Sequence, residues 1–280
     1  MKLLSFVHQG RETWGAVTGP DTVVDLGQAM PQFATLTDYI ASGAYLQAQH
    51  DAAQQKTSIA MGDITFLPVI PKPEKIVCAV RNYMDHHKEV LAAGMHRELS
   101  EEPPIFLRVW RSQVAHNQPI ICPKVSGSLD WEGELAVIIG KGGRRIPRED
   151  VDAHIFGFTC ANDVSERPIQ FAEMAAGCLL IGKGFDSFCP LGPVIATGLN
   201  HRNLAIATRL NGQVRQSSNT SDLVFDVTHL VSYISQAITL RPGDVIITGT
   251  PQGIGPMLPG DVVEVEIEGI GVLQNPVVSE

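Results

Sequence analysis

The chain has 280 residues, enough for one large domain or a large domain with a small appendage, and a core of that size needs no disulfide staples. Lys and Arg total 21 against 30 Asp and Glu, a formal charge of −9 with no basic block to offset it, which sets aside nucleic acid and anionic membrane surfaces as partners. Cys78, Cys122, Cys160, Cys178 and Cys189 make neither a C-x-x-C pair nor a compact framework, so a zinc knuckle and a disulfide scaffold are set aside and free thiols in a reducing cytoplasm are expected.

The opening run 2–7 is strand-like rather than a signal peptide, and no apolar stretch reaches the length of a membrane span, so a cytoplasmic protein is the expectation. Further short strands are predicted at 15–17 and 22–26, a helix at 36–42, and a second helical tract at 47–56 from its Ala and Gln content. Three prolines within 67–73 predict an extended linker, where the main domain begins.

A strand at 75–79 leads through Arg81-Asn82-Tyr83 into a helix at 85–94, with Asp85 placed to cap it and Gly94 to end it. His86 and Glu89 are three residues apart and share a helix face. That spacing suits a carboxylate orienting an imidazole, and equally a solvated, charge-laced surface helix. The polar run 95–102, closed by Pro103-Pro104, reads as a flap, and strands follow at 105–109, 120–122 and 135–139.

In the stretch from Leu129 to Gly140, strand geometry projects Glu132 and Glu134 from one face, followed on it by Ala136 and Ile138. Two readings answer to this pattern: a cation held between two crowded carboxylates, or the solvent-facing edge of an antiparallel sheet. A strand at 155–160 runs out towards Asp163, which by itself is a functional side chain at a strand end or a turn former. Lys183 between two glycines lacks the full phosphate-loop pattern and alone reads as an exposed turn residue; Pro190-Leu191-Gly192-Pro193 reads as a rigid turn. A hairpin at 204–215 around Asn211-Gly212, a helix at 227–238 and strands at 243–248 and 262–267 complete a β-rich α+β pattern.

Several blocks fall in one order along the chain: Asn82-Tyr83 with Asp85-His86; Leu129-Asp130-Trp131-Glu132-Gly133-Glu134-Leu135; Asn162-Asp163-Val164-Ser165 with Arg167 and Gln170. Gly182-Lys183, Pro190-Leu191-Gly192-Pro193, Arg241-Pro242-Gly243-Asp244, Thr248-Gly249-Thr250-Pro251 and Pro259-Gly260-Asp261 follow. In that order they resemble the fumarylacetoacetate hydrolase family, from about Lys75 to the C-terminus, and its acylpyruvase and 2-hydroxyhepta-2,4-diene-1,7-dioate isomerase-like branch in particular.

The resemblance implies an α+β fold: a mixed β-roll catalytic domain over 71–280, preceded by a small N-terminal α/β domain over 1–70. It implies metal ligation by Glu132, Glu134 and Asp163, a catalytic pair of His86 and Glu89 on a lid, and a catalytic pocket lysine at Lys183. Arg81, Tyr83, Gln170 and Thr250 match substrate-binding positions, and a homodimer is the implied assembly. Three carboxylates without histidine or thiolate are hard oxygen donors, suited to Mg2+ or Mn2+, with Ca2+ a further candidate in vitro, rather than to zinc.

The implied substrate is a small 2-keto acid and the expected reaction hydrolysis of a carbon–carbon bond in a β-diketo acid such as an acylpyruvate, with His86 activating water. Decarboxylation of an oxaloacetate-type acid, isomerisation or hydration of a dienoate, and a non-catalytic β-roll are the alternatives. Two positions depart from the family pattern: Val80 stands where glycine is usual, in the turn before the lid, and Pro168 where an acidic residue is common, in the loop carrying Gln170.

Overall fold

The computed structural model describes residues 1–46, 58–92 and 99–280; the helical tract expected at 47–56, Gly94 and the first half of the expected flap lie outside the described residues. Among the described residues, twelve strands join in one mixed sheet. Its main path runs Ser58–Ala60, Thr22–Asp25, Arg11–Gly19, Lys2–His8, Cys189–Ala196, Ile155–Asn162, Gly133–Ile139, Val245–Ile247, Ile76–Ala79 and Ile105–Arg108. Most neighbours are antiparallel, while Val245–Ile247 runs parallel to Ile76–Ala79. A five-stranded sheet and a three-stranded sheet, the latter built from Ser165–Glu166, Leu129–Trp131 and Gly255–Met257, complete the β-rich α+β architecture.

The strand Gly133–Ile139 has both faces covered. Leu135, Val137 and Ile139 enter one apolar cluster with Phe158, Val231 and Val265. Ala136 and Ile138 enter a second, with Trp14, Ile40 and Ile247. This period of two is the expected one, and burial of Glu132 and Glu134 at the strand's start excludes the solvent-facing edge.

Local signals place the helix Leu36–Ser42 at its expected bounds: Thr35 and Asp38 form a capping box and Gly43, at φ 70°, ends the helix in the left-handed region. Lys2 and Leu3 pair with Ala196 and Ile195, so the first strands extend the same sheet. The proline-rich stretch expected as a linker is packed rather than free. Val69 and Ile70 are fully buried, and Ser5 Oγ donates to the Val69 carbonyl at 2.9 Å.

Three further expectations change. Pro190-Leu191-Gly192-Pro193 is not a turn but part of the strand Cys189–Ala196, because Cys189, Leu191 and Ile195 are buried in the core and that burial prevails over local turn preference. A register shift between Phe158 and Cys160 of the neighbouring strand accompanies the two prolines, which cannot donate to the ladder. Gln170 sits on the helix Arg167–Ala175 rather than on a loop; Glu166 caps it, accepting from Ile169 N at 2.7 Å, and Pro168 falls in the first turn, where no N–H partner is required. Asp85 lies inside the first turn of the helix Met84–Ala92 instead of capping it, and Lys88 Nζ donates to it at 2.7 Å. Among the described residues no helix is long and apolar enough to cross a membrane.

Candidate active site

Two strand ends in register build the acidic centre. Gly133 pairs with Asn162, the Asp163 N–H donates to the Glu132 carbonyl at 2.8 Å, and Asn162 Oδ1 accepts from Glu132 N at 2.9 Å. Glu132, Glu134 and Asp163 consequently each offer a carboxylate oxygen within 4.8 Å of the others, and all are buried. Gly133 between the glutamates meets a space requirement, since a Cβ there would stand 2.0 Å from Thr208 Oγ1.

Buried cations surround the acids. Lys183 is buried rather than an exposed turn residue: Nζ lies 2.8 Å from Glu132 Oε2 and 2.5 Å from Asp163 Oδ2. Its short helix Ile181–Gly184 is held by Glu173, whose carboxylate accepts the N–H groups of Leu180, Ile181 and Gly182 at 3.1, 2.7 and 2.9 Å. Arg167 donates from Nε to Asp130 Oδ2 at 2.9 Å and from Nη1 to Gln170 Oε1 at 2.6 Å, and its Nη2 stands 2.8 Å from Glu132 Oε1. Arg108 donates to Asp163 Oδ1 and to the Lys183 and Val164 carbonyls.

Burial alone would raise Glu132, but the Lys183 ammonium and then the Arg167 guanidinium override it and hold its carboxyl well below the ordinary range. Glu134 goes the other way. Burial, reinforced by the charges of Asp163 and Glu132, raises it well above that range against the opposing Lys183 charge and the Gly249 N–H that Glu134 accepts. A hard divalent cation would offset this crowding, and the all-oxygen donor set fits Mg2+ or Mn2+.

His86 and Glu89 lie on the helix Met84–Ala92, with His86 Nδ1 2.9 Å from Glu89 Oε2, while Gly253 N donates to Glu89 Oε1 at 3.0 Å. Burial raises the Glu89 carboxyl, but the hydrogen bonds from His86 and Gly253, aided by the His86 and Arg167 charges, bring it below its ordinary value. His86 is buried, not part of a solvated face.

One cleft of about 540 Å³, counting the solvent at its mouth, gathers Arg81, His86, Glu132, Glu134, Asp163, Gln170, Lys183 and Thr250 on its walls. Phe106, Phe171, Met174, Leu179 and Ile254 form its apolar side. Glu89 enters through His86. Tyr83 does not line this cleft: it is buried beside a neighbouring groove with Met84 and Asp222, its hydroxyl pushed up by burial and by the Glu134 charge. Thr250 Oγ1 donates to the Gly133 carbonyl at 3.0 Å and accepts from Gln216 at 2.8 Å, bracing the strand that carries the glutamates.

Sequence reading missed Arg108, although Phe106 and Arg108 alternate with outward Leu107 on a predicted strand. It also left Asn82 without a role. The Asn82 amide donates to the Phe225 and Thr248 carbonyls, each at 2.8 Å, and accepts from Phe225 N at 2.7 Å, fixing the root of the His86 helix against the loop that carries Gly249 and Thr250.

Comparison with known proteins places this geometry among relatives. A family model described as Fumarylacetoacetate (FAA) hydrolase C-terminal matches residues 75–278. The chain is 40% identical over 269 residues to the Bos taurus protein named oxaloacetate tautomerase FAHD2A, mitochondrial, covering 91% of this chain and 84% of that one. It is 45% identical over 215 residues to an uncharacterized protein of Archaeoglobus fulgidus, covering 77% of this chain and 82% of that one. Among solved structures, maleylpyruvate hydrolase from Sphingobium sp. SYK-6, in complex with manganese(II) ion and pyruvate, is 30% identical with a TM-score of 0.83, covering 100% of this chain and 99% of that one. The 2-hydroxyhepta-2,4-diene-1,7-dioate isomerase from Mycobacterium marinum is 31% identical with a TM-score of 0.81 and the same coverage.

Proposed function

The chain belongs to the fumarylacetoacetate hydrolase family, and from that premise we propose that it moves a proton at the carbon beside the ketone of a small 2-oxo acid, interconverting the keto and enol forms of an oxaloacetate-like dicarboxylate. The observation that carries this reading is the His86–Glu89 pair on the same cleft as Glu132, Glu134, Asp163 and Lys183. The 40% identity to a protein named oxaloacetate tautomerase supports the choice of substrate.

Glu132, Glu134 and Asp163 would hold Mg2+ or Mn2+, which when bound supplies Lewis acidity towards the oxygens of a 2-oxo acid. The remaining chemistry belongs to side chains of this protein. Glu89, kept ionised at neutral pH, is an acceptor, so the proton on His86 sits on Nδ1 and the lone pair on Nε2 faces exchange with substrate. After Nε2 takes the proton from carbon, the Glu89 carboxylate steadies the resulting imidazolium, and the same atom hands the proton to the ketone oxygen, giving the enol, or back to carbon, giving the keto form. Lys183 contributes fixed positive charge where negative charge develops on the ketone oxygen. Arg81, on the cleft wall, is the group suited to a second carboxylate.

A second reading, hydrolytic carbon–carbon cleavage of an acylpyruvate, is favoured by the apolar wall of Phe106, Phe171, Met174, Leu179 and Ile254, which offers room for an acyl tail. There Nε2 would take its proton from water. The test follows the decay of enol-oxaloacetate by ultraviolet absorbance and pyruvate release from oxaloacetate and from a simple acylpyruvate, each with Mg2+ or Mn2+ and again after chelation. Metal-dependent enol decay without pyruvate is the expected result. Pyruvate from the acylpyruvate alone would move the protein to the hydrolases, pyruvate from oxaloacetate to the decarboxylases, and silence on all three would refute the proposal.

A further inference from the structure

Arg108 closes the strand Ile105–Arg108, the last strand on the main path of the large sheet, and its side chain is fully buried. A buried guanidinium is tolerated only when its donors are met. Here all three of its nitrogens are met: Nε donates to Asp163 Oδ1, which Nη2 also contacts, Nη1 donates to the Lys183 carbonyl, and Nη2 to the Val164 carbonyl at 2.9 Å. Those partners lie 55 to 75 residues further along the chain, on two different segments. The planar fork therefore joins the strand end that carries Asp163 to the short helix that carries Lys183.

With Oδ1 engaged by Arg108, Asp163 turns Oδ2 towards Glu132 and Lys183. We propose that Arg108 is a positioning residue: it fixes the Asp163 carboxylate so that Oδ2 is the oxygen offered to a divalent cation, and it sets the spacing between that ligand and Lys183. A point charge in its place would balance Asp163 but could not reach three acceptors in one plane. The inference rests on the reading of Glu132, Glu134 and Asp163 as metal ligands and not on the identity of the substrate.

The experiment measures Mn2+ affinity of the full chain by titration calorimetry and by the electron paramagnetic resonance signal of free Mn2+, for wild type, Arg108→Lys, Arg108→Gln and Asp163→Asn. Melting in chelator establishes that each variant is folded. Both Arg108 variants should bind Mn2+ roughly 10- to 100-fold more weakly, the range found when a partner of a metal ligand is removed. Arg108→Lys binding within about twofold of wild type would show that charge alone suffices and overturn the positioning role. Undiminished Mn2+ binding by Asp163→Asn would instead overturn the metal-site reading, a distinguishable failure. A wild-type measurement stands beside the variants: the protected arginine Nε–H resonance should shift on adding Mg2+, because its acceptor is a cation ligand, and an unmoved resonance would contradict the proposal.

Discussion

Replacing Glu89 with Gln keeps the length of the side chain and removes its charge. Two contacts constrain the substituent: His86 Nδ1 at 2.9 Å from one oxygen and Gly253 N at 3.0 Å from the other. Both neighbours are donors, and an amide offers only one acceptor, so either Gly253 or His86 faces an NH2 group. Facing His86, that group would favour the tautomer with the proton on Nε2, the wrong one for a base. Hydrogen bonds to a charged partner contribute about 1.5–3 kcal/mol, and at about 1.4 kcal/mol per factor of ten the loss predicts a fall in kcat of roughly 10- to 150-fold. Steady-state kinetics on whichever substrate responds, beside a Mn2+ titration, reads the result. KM and Mn2+ affinity should stay near wild type, since Glu89 touches none of the carboxylate ligands; full turnover in Glu89→Gln would refute the acid–base role of the pair.

Removing the imidazole outright, in His86→Ala, should lower kcat by about two to four powers of ten while Mn2+ still binds; a variant that has lost the metal would place His86 in the structure of the site rather than its chemistry. Gly133→Ala puts a Cβ 2.0 Å from Thr208 Oγ1 and 3.3 Å from Val265 Cγ1, so denaturant titration should show about 1–3 kcal/mol of destabilisation. An unshifted midpoint would mean that the strand gives way freely. Burial raises the Glu173 carboxyl, yet three backbone N–H groups hold it below its ordinary value. A folded value below the unfolded one means that the stabilisation is present at neutral pH and is lost as the pH falls through the folded value. The melting temperatures of wild type and Glu173→Gln should therefore differ near neutral pH and converge as the pH falls through the folded value, and a gap that does not narrow with falling pH would contradict the assignment.

Elements governed by neighbouring residues were legible from sequence. The helix Leu36–Ser42 carries its capping box and its left-handed glycine within nine residues, 35–43, and alternation along the stretch from Leu129 to Gly140 was enough to set two glutamates on one face. Features settled by distant partners were not. Lys183 reads locally as a turn residue and is buried only because Glu132 and Asp163 meet it from segments 51 and 20 residues away. Arg108 carries no motif at all, and the strand through Pro190 to Pro193 is decided by burial against segments remote in sequence. The grouping of Glu132, Glu134 and Asp163 became readable only through ordered motif blocks, since pairing of Gly133 with Asn162 is invisible to any single stretch.

The hydrogen bond between His86 and Glu89 has both ends on one helical turn. Its length is consequently indifferent to where the helix goes: a rigid displacement about the root pinned by Asn82 carries donor and acceptor together. What such a displacement alters is the reach from His86 to the acids and the hydrogen bond from Gly253 to Glu89. On the proposed acid–base reading the pair is assembled in advance, like a loaded cartridge, and the seating of one helix decides whether it can be used.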